Sequence, residues 1–407
     1  MLAPETHNYA KIRVVGVGGG GGNAITRMIE SGVTGVEFLA INTDAQALDR
    51  IQADNKLQIG VSLTKGLGAG GDPQIGRAAA EESKQEIMMA LDGSDMVFLT
   101  CGLGGGTGTG ASPVVAEIAR SLGALTVAIC TRPFQIEGPR RKANADDGFN
   151  HLKENVDAIV VIPNDRLISV VEKRTTLAEA FQSADDILRQ GVQGISEVIV
   201  IPGLINLDFA DVRAVLANAG TALMGIGVGQ GEHRAPDAAK IAVSSPLLEQ
   251  TIDGAEAILF NITGPADLGL NELQEAAEII TSSTKQQNPN VLMGAVIDER
   301  MQNEVRITVV ATGFDRKPSV PTASTPRHGT QEGRLPSAEL SVPQRASLLR
   351  QAYSGQPPTV SVQLPDDSRA KPAGQLQDDT RRGPAFPSVA QPVQDDDLDI
   401  PAFLRRK

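Results

Sequence analysis

The chain is short of the residues that metal, redox and membrane proteins depend on. Only two of its 407 residues are cysteine, Cys101 and Cys130; both sit in apolar, strand-like runs and neither has a Cys-x-x-Cys neighbour. A disulfide framework and a thiolate metal site are excluded, and buried reduced thiols are expected. The four histidines (His7, His151, His233, His328) have no metal-ligand spacing. No apolar run reaches the ~18 residues that a membrane span needs, and the opening residues lack the basic-then-apolar pattern of a leader. The expectation is a soluble, unexported, cytoplasmic protein. Positive charge is scarce as well. The formal net charge is -12, and residues 1–316 carry 25 basic against 39 acidic side chains, which makes a nucleic-acid backbone a poor partner. Finally, Gly-x-x-x-x-Gly-Lys-Ser/Thr occurs nowhere, so the chain is not a P-loop NTPase.

Glycine is plentiful instead, and it is clustered. Residues 102–110 read Gly-Leu-Gly-Gly-Gly-Thr-Gly-Thr-Gly, between the apolar run 96–101 and a helical pattern from Pro113. A strand, a glycine loop and a helix in that order let backbone N–H groups converge at a positive helix end, and the guest expected there is phosphate. A second run, Gly16 to Asn23, follows Lys11–Val15 and precedes a helical Ala24–Glu30. Taken alone, Gly16, Gly18 and Gly21 satisfy the dinucleotide fingerprint, and Asp44 lies at the end of the next strand, where a ribose-binding acid belongs. A Rossmann-type nicotinamide dehydrogenase is therefore the rival reading. A third run, Gly66 to Pro73, argues against it, because a dinucleotide fold has no evident use for three strand-following glycine segments.

The hydrophobic content of 41% is enough for two or three domains. Over residues 9–175, short apolar strands (11–15, 36–41, 96–101, 125–130, 158–162) alternate with helices, predicting an α/β fold with a mostly parallel sheet and ligands at the strand carboxyl ends. Residues 176–200 form one long helical pattern, with Leu177, Phe181, Ala184, Ile187, Leu188, Val192, Ile195, Val198 and Ile199 recurring at three and four; it would span about 36 Å. Residues 201–316 hold a second α/β set, with strands at 222–228, 257–262, 291–297 and 305–310 and a helix over 268–282. Residues 317–394 lose apolar periodicity and contain 12 of the 24 prolines, which predicts a disordered linker. The ending 395–407 places acids before Leu398, Ile400, Phe403 and Leu404 and bases after them, the pattern of a peptide that docks in a partner's groove.

The loop Gly104–Gly110 carries the tubulin signature. Together with Gly203-Leu204-Ile205-Asn206-Leu207-Asp208-Phe209-Ala210-Asp211-Val212 and Leu398-Asp399-Ile400-Pro401-Ala402-Phe403-Leu404, it makes the chain resemble the FtsZ family of bacterial tubulin-like cell-division GTPases. The resemblance covers roughly residues 9–316 and the last dozen. It implies a tubulin/FtsZ-like fold with a GTP-binding domain (9–175), a central helix (176–200), a C-terminal domain bearing a catalytic loop (201–316), a linker (317–394) and a partner-binding peptide (395–407).

The resemblance also implies roles for particular residues. Gly19, Gly20, Gly21, Gly22 and Asn23, with Ala69, Gly70, Gly71 and Asp72, and with Gly102, Gly104, Gly105, Gly106, Thr107 and Gly108, would surround the phosphates of GTP or GDP. With no lysine among them, the charge would fall to backbone dipoles, hydroxyls and a Mg²⁺ carried by the phosphates. Asn42, Asp44 and Thr131 would join the site, Glu137 and Arg141 would contact ribose and phosphate, and Asn164 would add to it. Phe181 would stack on guanine, and Asp185 would accept hydrogens from its ring N–H and exocyclic amine. Some relatives carry Asn at the position of Asp185 and Asp at that of Asp186, so the resemblance leaves open which of the two reads the base.

For hydrolysis, Asp208 and Asp211 are the candidates to hold water, supported by Asn206 and Gln46. By spacing alone, Asp208 is also an N-cap and Asp211 its N3 partner at the head of a helix over 209–218. Most of the long helix separates the base pocket from this acidic loop. The loop would therefore enter a neighbour's site, and contact between opposite ends repeats into a head-to-tail filament. By resemblance, the filament would form the mid-cell division ring, with membrane tethers and regulators of the FtsA, ZipA and MinC type bound through residues 397–407.

Overall fold

The computed structural model describes residues 10–314, apart from 169–173, 202, 247, 249 and 285–288. The expected linker (317–394) and terminal peptide (395–407) lie outside the described residues.

Ten strands form one sheet: β1 (Ile12–Val17), β2 (Glu37–Asn42), β3 (Asn55–Gln58), β4 (Met96–Gly102), β5 (Leu125–Arg132), β6 (Ala158–Pro163), β7 (Gly220–Gln230), β8 (Ala257–Gly264), β9 (Asn290–Ile297) and β10 (Glu304–Thr312). Their spatial order is β3-β2-β1-β4-β5-β6-β7-β10-β8-β9. The first seven in that order are parallel. Only β10 runs against its neighbours, between β7 and β8. The pairing Ala158↔Gly220 to Val160↔Ala222 carries the sheet from the N-terminal strands into the C-terminal set.

Among the described residues, twelve α-helices accompany the sheet: α1 (Gly18–Glu30), α2 (Ala45–Asp49), α3 (Val61–Thr64), α4 (Pro73–Glu82), α5 (Lys84–Leu91), α6 (Thr107–Ser121), α7 (Pro139–Asn155), α8 (Asn164–Leu167), α9 (Leu177–Val200), α10 (Phe209–Leu216), α11 (Arg234–Val243) and α12 (Leu270–Ser282). Strands β4 and β5 are buried along nearly their whole length, because helices lie on both faces of a parallel sheet; this is why they read as unbroken apolar runs. Alternation sends Phe98 into a core with Met28 of α1 and Val192 of α9, and Leu99 into another with Ala79 of α4, Ile118 of α6 and Leu152 of α7. A third core gathers Phe260 and Ile307 with Ala238 of α11 and Leu273 of α12. Cys101 and Cys130 are register partners on β4 and β5, with sulfurs 3.4 Å apart, free and buried.

The structure departs from the sequence reading in several places. The Gly16–Asn23 run is largely helix rather than loop, since α1 starts at Gly18, and the 102–110 run turns helical at Thr107, where α6 starts, six residues before Pro113. Bare backbone permits this: a Cβ on Gly21 would stand 2.4 Å from the Thr100 carbonyl oxygen, and one on Gly110 would stand 1.9 Å from that of Pro73. The third run follows the helical turn α3, not a strand. Strand β3 went unrecognised because Asn55–Gln58 is a polar, half-exposed edge. Finally, the apolar stripe of α9 does not bury its first two members. Leu177 is 56% exposed and Phe181 39%, while Ala184, Leu188, Val192, Ile195 and Val198 are buried. A capping box in which Thr176 and Glu179 bond each other's backbone N–H starts this helix.

Candidate functional site

At the carboxyl ends of β1, β2, β4 and β5 lies a cleft of about 570 Å³, within the range of small-molecule and cofactor sites. Its phosphate-like end is backbone: Gly19, Gly20 and Asn23 of α1, Gly102, Gly105, Gly106, Thr107 and Gly108 at the β4–α6 junction, and Ala69, Gly70 and Gly71 before α4. Both α1 and α6 begin here, so their unpaired first-turn N–H groups are directed at one place. A Cβ on Gly19 or Gly105 would meet nothing within 4 Å. Among the described residues, no lysine lines the cleft. The Thr43 and Thr107 hydroxyls, both buried, are hydrogen-bonded at 2.7 Å across the base of the cradle.

Asn42 and Asp44 enter from the end of β2, Thr131 lies at the end of β5, Glu137 and Arg141 follow that strand, and Asn164 comes from α8. Asp44 also caps α2, accepting the Ala47 N–H at 3.0 Å. The carboxylate of Glu137 accepts both the Arg141 guanidinium at 2.5 Å and the Phe134 N–H at 2.9 Å. Asn164 is buried, and its Oδ1 has no hydrogen-bond partner. A buried acceptor in a cleft wall with nothing to accept is the state expected of a ligand contact.

Phe181 and Asp185, near the start of α9, close the far end. The Phe181 ring meets that of Phe134 edge-on, with centroids 5.3 Å apart at 86°. Burial pushes the Asp185 carboxyl up to about 7, partly opposed by the charge of Arg27. Asp186 does not line the cleft. Burial raises it as well, but the hydrogen bond and charge of Arg189 outweigh that effect and hold it below the ordinary carboxylate value.

Four expected nucleotide contacts do not line the cleft, and neither does Gln46, expected to support hydrolysis. Gly21 and Gly22 pack inward, toward Thr100 and Ile51. Asp72 is the N-cap of α4, taking the Gln74 N–H at 2.9 Å. The Gly104 N–H bonds the Thr109 hydroxyl at 2.8 Å. Gln46 is exposed on α2. Conversely, Val17, Ala47, Leu67, Gly68, Leu103, Pro133 and Ala184 do line it, and their mostly apolar side chains gave no signal beyond adjacency to a motif. A larger cavity, about 720 Å³, lies between α4, α6 and α7 and is lined by residues of those helices, none of them from a strand.

The acidic loop is elsewhere. It follows α9, whose 24 residues extend about 36 Å, and none of Asn206, Asp208 or Asp211 lines the cleft. The loop is docked on β9, with the Leu204 N–H on the Ala295 carbonyl at 2.8 Å and an Ile205↔Ala295 bridge. The Asn206 carboxamide oxygen turns back to the Gly203 N–H at 2.6 Å. The expected capping box is absent. Asp208 sits at the N-cap of α10 without a side-chain bond, and the Asp211 N–H bonds the Asp208 carbonyl oxygen. Both carboxylates are thus exposed and free of capping duty.

Among the described residues, no three His, Cys, Asp or Glu side chains are grouped to hold a metal, and no helix is long and apolar enough to cross a membrane.

Residues 11–172 match the model of the Tubulin/FtsZ family, GTPase domain, and residues 220–315 that of the FtsZ family, C-terminal domain. Among solved structures, an empty FtsZ dimer of M. jannaschii is 49% identical over 77% of this chain and 93% of its own, with a TM-score of 0.74. A mutant FtsZ of the same organism is 51% identical over 75% and 91%, with a TM-score of 0.72. CetZ2 from Haloferax volcanii, solved as a GTPgS-bound protofilament, shares the fold at 22% identity over 76% and 94%, with a TM-score of 0.63.

Proposed function

The chain belongs to the FtsZ family of tubulin-like GTPases, binding GTP and GDP and hydrolysing GTP, and on that premise we propose that it assembles head to tail, each joint completing a hydrolytic site that a monomer lacks. The nicotinamide dehydrogenase reading of the Gly16–Asn23 run has no support in these matches.

In the proposed site, the N-termini of α1 and α6 and the Ala69–Gly71 loop hold the triphosphate. Glu137 and Arg141 hold the ribose end, and Asn164 supplies its unpaired acceptor. Phe181 stacks on guanine, and the Asp185 carboxylate accepts the two N–H groups that adenine does not present. A Mg²⁺, when bound, neutralises phosphate charge. This chain offers no carboxylate cage for it among the described residues, so phosphate oxygens and water would be its ligands.

The observation that carries the proposal is the placement of the acids. Asp208 and Asp211 are exposed, released from capping, and at the opposite end of α9 from Phe181 and Asp185. A neighbour's loop entering the cleft would set these carboxylates against a water at the γ-phosphate, with Asn206 shaping the loop and Gln46 on α2 in support. Positioning water and stabilising charge is most of what phosphoryl transfer requires. The dimer seen for the M. jannaschii relative supports self-association. We further propose a role in the bacterial division ring, in the cytoplasm, with tethers and regulators of the FtsA, ZipA and MinC type bound through residues 397–407.

The test is complementation between two inactive variants. Asp208→Ala should bind GTP and sediment as polymer yet turn over slowly, and Asp185→Ala should bind poorly. Mixed together, they should recover GTPase activity, because an intact acidic loop then meets an occupied cleft. Full activity of Asp208→Ala alone, or of wild-type protein diluted to monomer, would overturn the proposal.

A further inference from the structure

Phe134 does not line the cleft; it is buried, 3% exposed, and lines instead a separate cavity of about 370 Å³ behind the Pro133–Gly138 segment. Three observations tie it to the cleft. Its ring and that of Phe181 are in T-shaped contact. Its N–H is held by the Glu137 carboxylate, which also holds Arg141. The next residue, Gln135, donates its N–H to Asp165, the neighbour of Asn164, at 3.0 Å. Phe181 itself is 39% exposed on the second turn of α9, where an unsupported ring would turn freely among its rotamers.

We infer that Phe134 is a positioning residue for the nucleotide base: it fixes the plane of Phe181 by an edge-to-face contact and locks that plane to the segment bearing Glu137 and Arg141. This rests on the reading above in which Phe181 stacks on guanine. A ring already held at the stacking angle loses no rotamer freedom when the base arrives, and an edge-to-face pair contributes beyond the area it buries. Phe134 touches neither base nor phosphate. Its effect therefore passes through Phe181, and it belongs to binding rather than to hydrolysis.

A double-mutant cycle on the full-length protein tests this, with GDP affinity measured by calorimetry for wild type, Phe134→Leu, Phe181→Leu and the double variant. We expect Phe134→Leu to weaken GDP binding about three- to tenfold. It should add almost nothing in the Phe181→Leu background. The KM for GTP should rise in the single variant, with kcat in the assembled state unchanged. Phe134→Tyr keeps the aromatic ring and should bind as wild type. If Phe134→Leu does not fold, Phe134→Met takes its place in the cycle. Losses that simply add, or wild-type affinity in Phe134→Leu, would overturn the inference while leaving the stacking role of Phe181 intact. Wild-type affinity in Phe181→Leu would instead remove the stacking role, and the inference with it.

Discussion

Asp185 and Asp186 are adjacent on α9 and opposite in condition: the first lines the cleft, its carboxyl raised to about 7 by burial, and the second is ion-paired to Arg189 at 2.7 Å with its acidity strengthened. A residue already committed to an arginine and to the Gln190 amide has little left to offer a ligand. Sequence left both acids as candidates for reading guanine, and side-chain geometry favours Asp185.

Asp185→Ala should therefore weaken GDP binding about 10- to 100-fold, the scale of losing hydrogen bonds to a charged acceptor. Asp186→Ala should change it less than about threefold, its ion pair being half-exposed and worth little. Calorimetric titration of both variants with GDP checks the pair.

The raised value of Asp185 sets a pH dependence with two opposite signs. In the free protein, the unfolded chain releases this proton near its ordinary value and the folded chain only near 7, so the group's contribution to stability fades as pH rises between them. In the proposed site the ionised form is the one that reads guanine, so GDP affinity should fall as pH drops below about 7, approaching tenfold per unit. Asp185→Asn should flatten both trends relative to wild type. Melting curves and GDP titrations from pH 5 to 8 give the comparison.

Neighbouring glycines of α1 should respond differently to a methyl group. Gly19→Ala meets open space, so the melting temperature should hold or rise while nucleotide binding falls, the new methyl standing where phosphate approaches. Gly21→Ala drives a Cβ into the Thr100 carbonyl and should destabilise the protein by about 1–3 kcal/mol or more. Thermal melts with and without GDP separate the two.

Glu197 of α9 and Arg306 of β10 form an ion pair at 3.3 Å, with side chains only 9% and 19% exposed. Removing one partner strands the other charge, so Arg306→Met should cost about 3 kcal/mol. The double variant Glu197→Leu with Arg306→Met should recover most of that loss. Urea unfolding measures both.

Much of the architecture was legible because it rests on one-dimensional patterns. The runs at 96–101 and 125–130 are strands because both faces are covered, and the apolar recurrence of residues 184–198 is the buried face of α9. Edges and ends were harder. Asn55–Gln58 pairs on one side only and has no apolar signature. Leu177 and Phe181 continue the helical stripe but extend past the core, so periodicity alone assigned them to packing.

The cleft was recognisable through glycine, and what glycine conceals was not. Gly19 and Gly21 look equivalent in sequence, yet one borders the cleft and the other lets a helix lie against a strand. Asp208 and Asp211 have the spacing of a capping box, and only the backbone geometry shows that Asp211 bonds the Asp208 carbonyl and leaves both carboxylates unused. Phe134 gave no motif at all, because its part is played through a ring 47 residues further along the chain.

Cys101 and Cys130, the only cysteines in the sequence, are both sealed inside the sheet layer, and burial of that degree makes thiols unreactive. The folded protein is thus a silent background for maleimide dyes. A cysteine introduced at an exposed position, such as Gln46 on α2 or Ala210 in the acidic loop, would be the one site that takes up a fluorophore. Energy transfer between two such labelled populations would report the meeting of opposite ends directly, without either native thiol having to be removed.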